Sequence, residues 1–191
     1  HILEVYFAPE QDLYMLDCFM EGMLKTVIKY APIAMKEPDN YEARANLMWT
    51  SSWAINGFIT AGKPHAWSCH PIEHELSAFY DITHGLGLAI VTPRWMEYCL
   101  DESNVDKYVQ FATNVFGVEP SDDKMAVAKK GIELMADFFF NTLGLDDNFT
   151  KIGIKPEDFP AMAKKACLGG VIKGFKPLAQ ADIEKIYKMC I

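Results

Sequence analysis

Apolar residues recur at the helical period through nearly the whole of this chain. Leu13, Leu16, Met20, Met23, Leu24, Val27 and Ile28 fall on one broad face at 3.6 residues per turn. The long apolar–polar alternation of a half-buried strand is absent. A second long helix is predicted from Tyr41 to about Thr60, carrying Leu47, Trp49, Ala54 and Phe58, with Ala61-Gly62-Lys63-Pro64 as its stop. A third begins between Ser68 and Pro71, because proline fits a helix in its first turn, where the missing N–H would have had no partner. The stretch Tyr80-Asp81-Ile82-Thr83 breaks the pattern, and Asp81 or Thr83 can cap a further helix through Val91 or beyond, kinked or restarted by Pro93. Helices are also predicted near 104–115, 121–143 (capped by Ser121), 157–167 and 180–189, with a loop from Gly144 to Pro156. The expected fold is all-α, one multi-helix domain over residues 1–191, without internal repeats. Its Met and aromatic residues, Phe138-Phe139-Phe140 among them, read as core.

The 191 residues are 50% hydrophobic, enough for a sizeable core. A formal net charge of −8 with no block of Lys or Arg argues against nucleic acid and anionic membrane as partners, and for small molecules or other protein surfaces. No apolar run approaches the roughly 20 residues that span a bilayer, and no secretory pattern opens the chain. Five scattered cysteines without a CxxC pair suggest reduced thiols in a cytoplasmic setting. Neither GxGxxG nor GxxxxGK[ST] occurs, so a dinucleotide or triphosphate has no recognised backbone cradle here. The chain opens on His1 in what reads as mid-helix, so it is expected to be a piece of a longer protein, and a targeting signal could lie in the part that precedes it.

Four of the five histidines, His65, His70, His74 and His84, lie within twenty residues. His70 and His74, four apart, project from one helix face about a turn from each other. His84 follows across the predicted turn, so the next helix can fold back and bring it near them. Three convergent neutral imidazoles suit a divalent transition metal, and Glu73, Glu75 and Asp81 are nearby carboxylates that would complete a set. Histidines at this spacing are also commonly capped, stacked or solvent-facing. His70-Pro71-Ile72-Glu73-His74 further matches the inverted zinc-protease pattern with Glu73 as general base. That class needs a distant glutamate ligand and a mixed α/β domain, and neither is evident. A structural role for Glu73 is simpler: with His70 near the cap it falls at about N3, where a carboxylate favours the helix dipole.

The run His70-Pro71-Ile72-Glu73-His74-Glu75-Leu76-Ser77-Ala78, continued by Tyr80-Asp81-Ile82-Thr83-His84-Gly85-Leu86-Gly87-Leu88-Ala89-Ile90-Val91, resembles the H-x-x-x-H-E-L and H-G-x-x-x-A-I signature of the iron-containing, group III alcohol dehydrogenases, in particular their butanol dehydrogenase-like members. The resemblance extends to Glu37-Pro38-Asp39-Asn40-Tyr41-Glu42-Ala43-Arg44-Ala45-Asn46-Leu47-Met48-Trp49, to Asn56-Gly57, and to Asp182-Ile183-Glu184-Lys185-Ile186-Tyr187. It covers essentially the whole chain. It implies the multi-helix C-terminal domain of the dehydroquinate synthase-like, iron-containing alcohol dehydrogenase fold, with the N-terminal dinucleotide-binding domain outside this chain as its partner.

Carried over position by position, the resemblance implies His70 and His84 as metal ligands. The opening His1-Ile2-Leu3-Glu4-Val5-Tyr6 is similar to the stretch that starts at the histidine of the family's Asp-x-x-x-His pair. His1 then becomes a third metal ligand, with the aspartate four residues upstream of it. His74 matches the family's second histidine, beside nicotinamide and substrate, with a part in binding the cofactor and in proton movement. His65 has no implied role and reads as a polar loop residue. The implied cofactors are a divalent metal, Fe2+ first and Zn2+ second, and NAD or NADP in the full-length protein; the implied substrate is a small-molecule alcohol or aldehyde, and a homodimer is compatible with it. The 191 residues alone are then expected to be inactive and to hold metal weakly. The alternatives are a glycerol dehydrogenase-like relative of the same fold and a non-catalytic helical interaction module, which predicts His70, His74 and His84 pointing apart.

Overall fold

The computed structural model describes residues 1–9, 13–61 and 67–191, which form two compact units. One comprises His1–His65 and Asp101–Leu143, the other Ala66–Leu100 and Gly144–Ile191.

The first unit contains α1 (Ile2–Tyr6), α2 (Tyr14–Lys36), α3 (Tyr41–Ile55), α6 (Val105–Phe116) and α7 (Lys124–Asp137), the last continued by a π-helical turn, Phe138–Thr142. Asn40 caps α3 by accepting from the Ala43 N–H, as its position before an apolar-periodic run favours. That helix is shorter than predicted. Gly57 adopts φ +90°, and the Asn56 side chain accepts from the Phe58 N–H at 3.0 Å, so a local turn ends the helix before the Gly-Lys-Pro cluster. Residues 62–64 of that cluster lie outside the described residues. The cap of α7 is Asp123, which accepts from the Ala126 N–H at 2.9 Å; the predicted cap, Ser121, lies two residues too early and donates to the Asp123 carbonyl instead. A buried polar network joins α1, α2 and α6. Glu21 accepts from Tyr6, Gln110 and Asn114, and Lys107 donates to Asp17 while lying 3.9 Å from the centre of the Tyr6 ring. Of the three phenylalanines expected in the core, Phe138 is buried while Phe139 and Phe140 are half-buried, and Tyr14, Met15, Tyr41, Met48 and Trp49 are exposed. Four aromatics, Phe19, Trp49, Trp53 and Phe58, line an open cleft of about 550 Å³ between α2 and α3, where their edges pack on one another instead of filling an interior.

The second unit holds α4 (Cys69–Tyr80), α5 (His84–Cys99), a 3₁₀ turn (Pro156–Asp158), α8 (Phe159–Ala166), the two-residue strands β1 (Val171–Ile172) and β2 (Leu178–Ala179), and α9 (Gln180–Met189). The strands pair antiparallel, Val171 opposite Ala179 and Ile172 opposite Leu178. Helix α4 packs on α5 and α8, while α9 packs on α5 and α8. Its core is aromatic, with Phe149, Phe159 and Tyr187 in mutual ring contact and Trp95 buried on α5. Pro93 neither ends nor restarts α5, which runs through it unbroken. An interior proline costs about 3 kcal/mol. The burial of Ile90, Val91, Trp95 and Met96 around it outweighs that, each apolar side chain contributing about 1.5–3 kcal/mol. Among the described residues no helix is long and apolar enough to cross a membrane.

Candidate metal centre

Helices α4 and α5 form a hairpin whose turn is made by Asp81, Ile82 and Thr83. Asp81 ends α4 in the left-handed conformation, φ +50°, and Thr83 takes the N-cap position of α5 without a side-chain capping bond. Of the two predicted caps, Thr83 therefore marks the start of α5, while Asp81 closes the preceding helix. His84 is the first residue of α5; His70 lies in the first turn of α4 and His74 one turn further on.

This folding-back brings the three histidines together. Ring centroids are 5.3 Å apart for His70 and His84, 5.4 Å for His74 and His84, and 6.0 Å for His70 and His74. Trp67 lies against the His70 ring at 4.7 Å. His70 is buried, whereas His74 and His84 are exposed, so the cluster opens to one side. An interaction module with the rings pointing apart is not what the structure contains.

Glu73 is where the sequence reading needs correction. Ser68 occupies the N-cap position, so Glu73 lies beyond the first turn, too deep to serve the helix dipole. Its carboxylate is fully buried, accepts from the Ser77 hydroxyl at 2.6 Å and bonds Nδ1 of His84. Glu73, His74 and His84 each present a ligand-type atom within 4.8 Å of the other two. The only sequence sign of this carboxylate's position was its three-residue offset from His70. Glu75 and Asp81 are not in that group among the described residues. His1 belongs to the other compact unit, where it borders an apolar hollow with Leu24, Phe111 and Phe138. His65 lies outside the described residues.

The donor chemistry fits a borderline divalent cation. Imidazole nitrogens gathered at this spacing, one of them backed by a carboxylate on its far nitrogen, are the usual surroundings of protein-bound Zn2+ or Fe2+.

Residues 1–191 match the profile of the Fe-containing alcohol dehydrogenase family, C-terminal. NADH-dependent butanol dehydrogenase B of Clostridium acetobutylicum is 46% identical over 193 residues, covering 100% of this chain and 50% of that protein. NADPH-dependent aldehyde reductase YqhD of Escherichia coli is 37% identical over 166 residues, covering 86% of this chain and 42% of that protein. Among solved structures, NADH-dependent butanol dehydrogenase A of Thermotoga maritima superposes with a TM-score of 0.90 at 34% identity, over 100% of this chain and 49% of that one. The chain thus spans about half the length of the curated relatives it matches.

Proposed function

Because this chain belongs to the iron-containing alcohol dehydrogenase family and corresponds to its C-terminal part, we propose that it forms the metal-binding wall of the active site in an NAD(P)-dependent enzyme that interconverts an alcohol and an aldehyde. The observation that carries this reading is the convergence of His70, His74 and His84 on the α4–α5 hairpin. The printed activities of the butanol dehydrogenase and aldehyde reductase relatives support the substrate class.

Each histidine has its own part in the proposal. His70 and His84 are metal ligands, and His1 is a third; residues 1–191 serve together as the metal-binding domain. His70 is buried against Trp67, which fixes its ring, and His84 is oriented from behind by Glu73. His74, exposed beside both rings, lies next to the cofactor and moves the proton that leaves the alcohol hydroxyl on oxidation or returns to it on aldehyde reduction. What these side chains cannot themselves provide, a Lewis acid for the substrate oxygen and a hydride acceptor, a divalent metal and a nicotinamide supply when bound. The open side of the cluster gives substrate a route to it.

The test is NAD(P)H-linked reduction of a short aliphatic aldehyde by the intact protein loaded with Fe2+ or with Zn2+. The expected result is turnover in the parent and loss of at least a hundredfold in H70A and H84A, together with their bound metal. Unchanged turnover and metal content in both variants would overturn the assignment.

A further inference from the structure

Glu73 is the most deeply buried charged group of the α4–α5 hairpin, and its surroundings are built for one purpose. Ser77, one turn along the same helix, donates to Oε1 at 2.6 Å, and Nδ1 of the His84 ring is bonded to Oε2. On the facing helix, position 87 has room only for glycine. A Cβ there would lie 2.6 Å from both Cγ and Oε1 of Glu73, a separation that must displace one of them. Gly87 is the fourth residue of α5 and has an ordinary helical backbone, so no positive φ calls for a glycine there. Its use is therefore the space it leaves for the carboxylate.

We propose that Glu73 is a positioning residue, neither a metal ligand nor a general base, which holds Nδ1 of His84 in its N–H form and so presents Nε2 as the coordinating atom. Each oxygen already has a partner, Ser77 on one and His84 on the other, so direct coordination would have to compete with the His84 bond. Its full burial takes it out of reach of substrate and water, which a base must meet. Hydrogen bonding of the far nitrogen to a carboxylate fixes the ring's tautomer and rotation and raises its basicity as a ligand. Ser77 and Gly87 complete the seat, one by anchoring the carboxylate and the other by yielding space to it. The proposal rests on the reading of His84 as a metal ligand.

The experiment uses the intact protein in E73Q, E73L, G87A and H84A forms, with two readouts that need no turnover. Zn2+ affinity is measured by competition with a chromogenic chelator, and the His84 tautomer by two-bond ¹H–¹⁵N correlation spectra of metal-stripped protein. Loss of an outer hydrogen-bond partner typically weakens metal binding about 10–100-fold. That range is expected for E73L and for G87A, which touches no ligand and acts only by displacing Glu73. E73Q, whose amide oxygen can still accept from Nδ1, is expected to lose less than E73L and to keep the Nδ1–H tautomer. Should E73L fail to fold, G87A and E73Q carry the comparison, with melting temperature as the control. Parent-like affinity and tautomer in both E73L and G87A, with H84A impaired, would overturn the proposal alone. A Co2+ absorption spectrum showing one ligand fewer in E73Q would also overturn it, since Glu73 would then coordinate. Parent-like affinity in H84A would instead remove the ligand reading, and the proposal with it.

Discussion

The hydroxyl of Tyr187 donates a buried hydrogen bond of 2.6 Å to the carbonyl of Ile72, across 115 residues of sequence. It ties α9 to the helix that carries His70 and His74. Burial pushes the Tyr187 phenol above its usual range, with the charges of Glu75 and Glu73 adding to the effect, and the group stays a donor throughout the neutral range.

Y187F tests that tie. A buried hydrogen bond contributes about 1 kcal/mol net, and the Ile72 carbonyl sits inside α4. A destabilisation of about 1–2 kcal/mol is expected in urea unfolding, within the cost of leaving a buried acceptor without one of its partners. An unchanged midpoint would show that packing alone holds α9.

The Lys107–Asp17 pair in the first unit is buried on both sides. Burial lowers the pKa of Lys107 below the ordinary lysine value, and the bond to Asp17 opposes that. K107M leaves Asp17 with Gln110 as its remaining donor, at 3.2 Å. Removing one member of a buried pair costs about 3–5 kcal/mol, whereas replacing both with apolar groups is often close to neutral. D17L/K107M is therefore expected to recover most of what K107M loses, as a denaturation double-mutant cycle would measure.

Tyr98 and Asp182 give the second unit a pH dependence at both extremes. They share a 2.6 Å hydrogen bond between α5 and α9. The Tyr98 hydroxyl, with the Ala179 N–H after it, holds Asp182 below the ordinary carboxylate value, and burial followed by Asp182 pushes Tyr98 up to about 12. The depressed Asp182 stabilises the fold above about pH 4, its unfolded value, and loses that contribution as pH falls through its folded value. The raised Tyr98 stabilises fully below about pH 10 and loses that contribution as pH rises toward 12. Y98F is expected to be less stable than the parent at pH 7, with the difference shrinking between about pH 10 and 12. A constant difference across a pH series of denaturation midpoints would contradict it.

His74 and His84 should separate metal retention from proton transfer. H84A is expected to lose bound metal, measured by elemental emission after dialysis. H74A is expected to retain metal while its turnover falls about 10²–10⁴-fold, the range for a positioned acid–base group, with a flattened pH–rate profile. Metal loss in H74A together with retention in H84A would reverse their roles.

Much of the local structure could be read from the chain before folding, because it depends on neighbours in sequence. The helical period of Leu16, Met20 and Met23, the proline in the first turn of α4 and the break at Tyr80 to Thr83 all follow from local backbone and side-chain chemistry. Local rules failed where distant packing intervened. Pro93 would end an isolated helix, yet α5 continues because Val91, Trp95 and Met96 are buried beside it. The exposed aromatics of α2 and α3 show the same limit, since periodicity marks an apolar face without saying what covers it.

By itself the sequence determined the predominantly helical character of the described elements, though not the short β1–β2 pair, together with the family and which histidines gather. The i, i+4 spacing of His70 and His74 and the turn before His84 require little more than two helices and a hairpin. Only the tertiary structure decided the place of Glu73 and the meaning of Gly87, because both depend on how closely α4 approaches α5. That distance is set by side chains meeting across two helices, and no spacing along a single chain encodes it.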